Sequence, residues 1–217
     1  LFPVLVMKMV NLSLRRGISP ISPFAFIVFG MIQGSALGDF KTGYEWGKLA
    51  INLVDKYNFK SVQCRTLMVY ACAVHHWTNH ARTGYEFLLR SIQSGIENGD
   101  LEYTSYSLIH ISFQALAMRK PLREVLEIFE RMRPTFLKIK QDHAYFTAAI
   151  VEQTTINLKE ASHKIHQLKG VAFDEDTYVH IWIETNNSSA LHCYYTMKCV
   201  IGYFFEEPEV VEAYSRK

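Results

Sequence analysis

The chain has 217 residues, with 23 Lys and Arg against 21 Asp and Glu, so its net charge is +2 at pH 7. A charge this close to neutral disfavours a protein held on nucleic acid through backbone phosphates, and we expect no nucleic-acid partner. Apolar residues make up 49% of the chain and charged residues 20%, which are globular values that exclude a disordered protein. The four Cys have neither a disulfide-framework nor a zinc-site spacing. We therefore expect a cytoplasmic protein.

The uncharged stretch over residues 18–38 is the first distinctive element and a candidate membrane span. Ser22 is the predicted N-cap and Pro23 the first helical residue. The helix then has at most about 16 residues and a length of about 24 Å, shorter than a hydrocarbon core of about 30 Å. We predict no membrane span here but a buried helix, in which Gly30, Gly34 and Gly38 let a neighbouring helix approach closely.

Helix starts recur downstream, each with a polar or Pro residue ahead of a periodic apolar run. The predicted starts are Asp39, Ser61, Thr83, Asp100 and Pro121, with Gly99 and Gly170 as C-terminal caps. The last predicted pair covers residues 187–205 and begins again at Pro208. In all, the pattern indicates about eleven helices, and the short, isolated VHIWI at 179–183 is the best candidate strand.

An internal repeat is the strongest pattern in the sequence. KTGYEWGKLAINL at 41–53 aligns without gaps to RTGYEFLLRSIQS at 82–94, 41 residues further on. The predicted packing residues are Gly43, Tyr44, Gly47 and Ala50 in the first copy and Gly84, Tyr85, Leu88 and Ser91 in the second. A helix pair of this kind cannot bury its apolar face alone. The sequence therefore predicts an all-α fold, a tetratricopeptide-like right-handed superhelix of stacked antiparallel helix pairs.

Candidate chemical residues are few. His75, His76 and His80 fall on one predicted helix, and the i, i+4 spacing of His76 and His80 is that of two ligands to one metal. No third ligand stands at a diagnostic distance, so the favoured interpretation is polar histidines on a helix face, with no metal and no cofactor. His163 and His166 are interpreted as solvent-facing in the same way. An all-helical metal-dependent enzyme is the alternative.

Several strings resemble a known type of region: KMVNLSLRRGISPIS at 8–22, GYEWGKLAINL at 43–53, SGIENGDLEY at 94–103 and ETNNSSAL at 184–191. They are similar to the helical-repeat region of very large bacterial signalling proteins that combine a Ser/Thr kinase, an AAA-like (STAND-type) ATPase module, a GAF sensor and often a histidine kinase. The matching strings concern turns and packing, so the resemblance assigns no catalytic residue to this chain.

The resemblance implies a non-catalytic scaffold or regulatory segment of a multidomain signal-transduction kinase, whose partners are proteins or neighbouring domains of the same chain. Because no initiator Met opens the sequence, we expect residues 1–217 to form one helical-repeat domain taken from a longer protein. A stand-alone repeat protein, or the sensor arm of a transcription activator, is a further alternative.

Overall fold

The computed structural model describes residues 1–160 and 165–217, and over these residues the protein is helical, as predicted. The β-type pairing found among these described residues is one isolated antiparallel bridge, between Lys169 and Asp174. The α-helices are α1 (Phe2–Arg16), α2 (Ser22–Ser35), α3 (Phe40–Tyr57), α4 (Lys60–Val69), α5 (Ala81–Asn98), α6 (Leu101–Ala117), α7 (Leu122–Ile139), α8 (Asp142–Glu160), α9 (Glu175–Glu184), α10 (Ser188–Phe204) and α11 (Pro208–Ser215).

The chain divides into two compact units, Leu1–Gln114 and Ala115–Lys217. In the first unit α2 packs on α1 and α3, and α4 packs on α5. In the second unit α8 packs on α7 and α10, and α10 also packs on α9 and α11. Each unit thus covers its own apolar surface with helix-on-helix contacts.

Some predicted helix starts are confirmed and others shift by one or two residues. Asp39 is the N-cap of α3, where its carboxylate accepts a hydrogen bond from the Thr42 amide at 3.0 Å. That bond lowers the pKa of Asp39. Ser61 and Thr83 are wrong as caps, because α4 begins at Lys60 and α5 at Ala81. Ser22 lies inside α2, and its hydroxyl accepts a hydrogen bond from the Ser19 amide at 2.9 Å.

The predicted helix ends and the candidate strand have mixed outcomes. Gly99 is the C-cap of α5 with φ of 77°, a left-handed conformation that glycine adopts without strain. Gly170 is wrong as a cap, since it lies in the connection between α8 and α9. Residues 179–183 are helical within α9, whose N-cap Asp174 accepts a hydrogen bond from the Asp176 amide and whose Trp182 is buried.

The close approach of α2 and α3 organises the first unit. A Cβ placed on Gly30 would lie 2.6 Å from the carbonyl oxygen of Gly43, and a Cβ on Gly43 would lie 2.6 Å from that of Gly30. Two side-chain-free positions therefore face one another, and the backbones touch directly. Eight residues of α2 are buried, and no helix among the described residues is long and apolar enough to cross a membrane.

Candidate functional site

The segment after α4 changes its winding twice. A π-helical turn covers Tyr70–Val74, and a 3₁₀ turn covers His75–Trp77. Short π-helical turns are rare and occur often at functional sites. Gly47 of α3 faces this turn, and a Cβ there would lie 2.9 Å from side-chain atoms of both Tyr70 and Val74. The glycine therefore lets α3 lie directly against the π-helical turn.

His75 points into the first unit from the 3₁₀ turn and is only 5% exposed. Its Nε2 lies 2.6 Å from the Thr83 hydroxyl, which donates its own proton to the His80 carbonyl oxygen. The hydroxyl must therefore accept from an Nε2–H group, which leaves Nδ1 to accept from the Tyr70 hydroxyl at 3.3 Å. Burial, and next the charge of His76, lower the pKa of His75. His75 is therefore neutral, and its two hydrogen bonds link the π-helical turn to α5.

Three aromatic rings lie together on the surface beside this turn. Trp77 stacks on Phe40 with ring centroids 4.7 Å apart and planes at 28°. The centroid of the His76 ring also lies 4.7 Å from that of Trp77, with the two planes tilted by 39°. Trp77 is 51% exposed and Phe40 is 37% exposed. We call Phe40, His76 and Trp77 the aromatic platform. Large, partly exposed aromatic side chains held in place by stacking are typical anchors of protein interfaces.

The sequence placed His75, His76 and His80 on one helix, and this is wrong. The helix ends in the 3₁₀ turn, and His80 is the N-cap of α5, where its Nδ1 accepts a hydrogen bond from the Arg82 amide at 3.1 Å. His76 and His80 therefore lack the i, i+4 geometry on which the metal alternative depended. Among residues 1–160 and 165–217, no group of three or more His, Cys, Asp or Glu is placed to hold a metal ion.

The first copy of the repeat lies at the crossing of α3 with α2 and with the π-helical turn. Gly43 contacts α2, Gly47 contacts the turn, and Ala50 is fully buried. The half-buried Tyr44 ring stacks over Tyr70, with centroids 6.3 Å apart. These contacts hold α3 against α2 and the π-helical turn, and Phe40 of the aromatic platform is the first residue of α3.

The second copy of the repeat packs more loosely. A Cβ on Gly84 would lie 3.6 Å from the Ala71 carbonyl oxygen, which is an ordinary contact. Leu88 and Ser91 are fully buried, and the Ser91 hydroxyl donates to the Cys64 carbonyl oxygen at 2.8 Å. Tyr85 is half-buried. The two copies share a sequence and a buried face but differ in how close the neighbouring backbone lies.

The second unit contains a buried ion pair that sequence reasoning missed. Lys198 of α10 is 1% exposed, and its ammonium group donates to Glu175 Oε2 at 2.7 Å and to the carbonyl oxygen of His166. The Tyr194 hydroxyl donates to the same carboxylate oxygen at 2.9 Å. Burial and the Glu175 carboxylate raise the pKa of Tyr194, so its hydroxyl stays protonated. The cluster joins α9, α10 and the connection between α8 and α9.

A second set of buried polar side chains also holds this connection. Gln153 Oε1 accepts from the Ala172 amide at 3.1 Å, and Asn157 Nδ2 donates to the carbonyl oxygens of Ile165 and Gln167. His166 is half-buried, and its Nδ1 lies 3.5 Å from the Glu207 carboxylate. The prediction that His166 faces solvent is therefore only partly correct. His163 lies outside the described residues.

Comparison with known proteins gives one informative similarity. No protein-family model matches the chain, and no solved structure matches it. The chain is 28% identical over 127 residues to hybrid signal transduction histidine kinase G of Dictyostelium discoideum. The match covers 58% of this chain and 4% of that protein. The relative is eukaryotic, whereas the sequence resemblance was to bacterial proteins. The chain is thus similar, over more than half of its length, to a short part of a signal-transduction histidine kinase.

Proposed function

We propose that this chain is a non-catalytic helical-repeat scaffold or regulatory segment of a multidomain signal-transduction kinase in the cytoplasm. It contacts other proteins or neighbouring domains of the same protein. The match to a histidine kinase supports the signalling context. The pairing of α2 with α3 and of α4 with α5, together with the repeated TGYE string, supports tetratricopeptide-like stacking.

The observation that carries the contact role is the aromatic platform. Trp77 remains 51% exposed although its ring is stacked on Phe40 and also contacts the His76 ring. Its position is fixed by the 3₁₀ turn that ends in it and by the buried His75 two residues before it. A rigid exposed tryptophan loses little conformational entropy when a partner covers it, and burial of its ring contributes strongly to binding.

A second surface of α3 also suits a protein contact. A shallow groove of about 400 Å³ runs along this helix and is lined by Lys41, Thr42, Glu45, Trp46 and Leu49. Leu49 is 40% exposed. A mixed polar and apolar lining is the usual composition of a protein interface.

The experiment compares the full-length signalling protein that contains this chain with two variants. In the first, Phe40 and Trp77 are replaced by Ala; in the second, Tyr203, which is 77% exposed and far along the chain, is replaced by Ala. We expect the platform variant to change kinase autophosphorylation and the control to leave it unchanged. Equal output from all three proteins would contradict the contact role.

The non-catalytic part of the proposal has its own assay. The purified 217-residue chain is incubated with ATP and magnesium, and phosphate release and phosphotransfer to itself are measured. We expect neither above the level of a boiled sample. Turnover by the folded chain would overturn this part of the proposal and leave the contact role to be judged by the variants.

A further inference from the structure

Helix α1 carries an exposed stripe of alternating apolar and basic side chains. Four of them lie within α1, namely Leu5, Lys8, Leu12 and Arg15, and Leu1 continues the same line from the position directly before the helix. All five are exposed, with Leu1 95%, Leu5 48% and Leu12 52% accessible. A shallow groove lined by Lys8, Asn11, Leu12 and Arg15 lies on the same surface. We call these five residues the α1 stripe. Residues four and three apart on a helix lie on one face, so the stripe is continuous.

The opposite side of α1 is fixed to the rest of the first unit. Val6, Val10 and Ser13 are buried, and the Ser13 hydroxyl lies 2.7 Å from that of Ser22 in α2. The α1 stripe is therefore the outer surface of a helix whose inner surface already has a partner. It is presented by a packed helix and not by a free one.

The charge around the stripe has one sign. The first 38 residues contain Lys8, Arg15 and Arg16 and no acidic residue, Asp39 being the first along the chain. All three cations are exposed, and within the described residues none of them has a carboxylate within ion-pair distance. Exposed leucines and unpaired cations on one helix face complement a surface of exposed apolar side chains and carboxylates.

We propose that the α1 stripe binds an amphipathic helix of a partner protein that carries Asp or Glu beside its apolar residues. Its leucines at four- and seven-residue spacing form the ridge that packs between the side chains of a second helix. Carboxylates of the partner pair with Lys8 and Arg15, which lie along the same line as the leucines, and with Arg16 at the side. This surface is separate from the aromatic platform, and the inference does not depend on the proposed function.

The arrangement favours a helix over an anionic membrane. A membrane-bound helix places its apolar side chains in the hydrocarbon and its cations at the flanks. In the α1 stripe Lys8 lies between Leu5 and Leu12, and Arg15 continues the line, so immersion of the leucines would also dehydrate the two cations. A partner helix with a carboxylate at the matching positions keeps both of them paired.

The test uses the complete 217-residue chain and a labelled synthetic helix. The probe is a 16-residue peptide with Leu at positions 1, 5, 8 and 12 and Glu at the flanking positions, and a second peptide has Lys in place of every Glu. Binding is followed by fluorescence anisotropy at low and high salt. We expect the acidic peptide to bind, with weaker binding at high salt, and the basic peptide not to bind.

Matched variants locate the surface. Lys8→Glu with Arg15→Glu is expected to weaken binding about tenfold or more, as is Leu5→Ser with Leu12→Ser, while Lys60→Glu with Lys138→Glu changes it less than about twofold. Trp77→Ala leaves peptide binding unchanged, which separates this inference from the aromatic platform. Far-UV circular dichroism checks that every variant is folded.

Three results would overturn the proposal: failure of the acidic peptide to bind, equal binding of both peptides, and wild-type affinity in both α1 variants. If the acidic peptide fails to bind, two further measurements identify the true occupant. Binding to phosphatidylserine vesicles that Lys8→Glu abolishes would assign the stripe to a membrane, and self-association in sedimentation that Lys8→Glu abolishes would assign it to a second copy.

Discussion

The two glycines of the repeat give a matched pair of substitutions with opposite expected signs. Replacement of a helical Gly by Ala stabilises a helix by about 0.5–1 kcal/mol through its lower backbone entropy. At Gly43 the new Cβ would lie 2.6 Å from the Gly30 carbonyl oxygen and 3.2 Å from the Gly34 amide nitrogen. Both are backbone atoms, so α2 and α3 must separate, and overpacking of this kind costs about 1–3 kcal/mol. We expect Gly43→Ala to destabilise by about 1–2 kcal/mol in net terms.

At Gly84 the same substitution meets no obstacle. The nearest atoms to the new Cβ lie at 3.6–3.7 Å, in the Ala71 carbonyl, the His75 ring and the Gln114 side chain. Only the entropy gain remains, so Gly84→Ala should stabilise by about 0.5–1 kcal/mol. Gly84→Leu, which extends beyond the available space, should destabilise as Gly43→Leu does.

Urea unfolding followed by far-UV circular dichroism measures both changes. Both glycines belong to the first unit, so the same transition reports on them. We expect the midpoint to fall for Gly43→Ala and to rise for Gly84→Ala. If Gly43→Ala is neutral or stabilising, the close contact between α2 and α3 is refuted. If both substitutions lower the midpoint equally, the contrast between the two copies of the repeat is refuted.

Three further predictions concern the polar side chains. Lys198→Ala leaves the Glu175 carboxylate buried without a cation and should lower the free energy of unfolding in urea by about 3–5 kcal/mol. The double variant Lys198→Met with Glu175→Gln should recover much of this loss of stability. A double variant as unstable as Lys198→Ala would count against the ion pair. Because burial lowers the pKa of His75, the folded protein binds fewer protons than the unfolded one, so the free energy of unfolding should fall as pH drops through about 6.5. His75→Gln should show a shallower dependence, and an unchanged slope would refute the neutral His75. His80→Ala removes the N-cap of α5 and should destabilise the protein by about 1 kcal/mol, whereas His76→Ala should leave the thermal midpoint almost unchanged. A larger fall of the midpoint for His76→Ala than for His80→Ala would refute the assignment of His80 as the cap.

Local patterns predicted the helices well because their signals lie within a few residues. Asp39 precedes a periodic apolar run, and its carboxylate caps α3; Gly99 follows another, and its positive φ ends α5. Gly30, Gly34 and Gly38 indicated a close helix neighbour. For Gly30 and Gly34 that neighbour is α3, whereas the prediction is wrong for Gly38, which lies after the end of α2 with a φ of 74° and no atom of the described residues within 4 Å of its Cβ position. Asp before an apolar run, Gly after one, and Gly inside a buried helix each have few structural roles other than N-cap, C-cap and close helix contact.

The features that local patterns missed depend on residues far apart in the chain. The π-helical turn forms where Tyr70 and Val74 meet Gly47 of α3, and nothing in the sequence of the turn itself indicates it. His80 was assigned to a continuing helix because the 3₁₀ turn before it was not predicted. Lys198 looks like an ordinary helical lysine until Glu175, 23 residues earlier in the chain, is placed beside it.

Hydroxyl-radical footprinting of Trp77 tests the contact role most directly. The oxidation rate of this side chain is measured in the 217-residue chain, where Trp77 is 51% exposed, and in the full-length signalling protein with its partners bound. We expect a clear fall in the rate at Trp77 in the full-length assembly, while the buried Trp182 reacts slowly in both. An unchanged rate at Trp77 would show that no partner or neighbouring domain covers the aromatic platform and would contradict the proposed contact role.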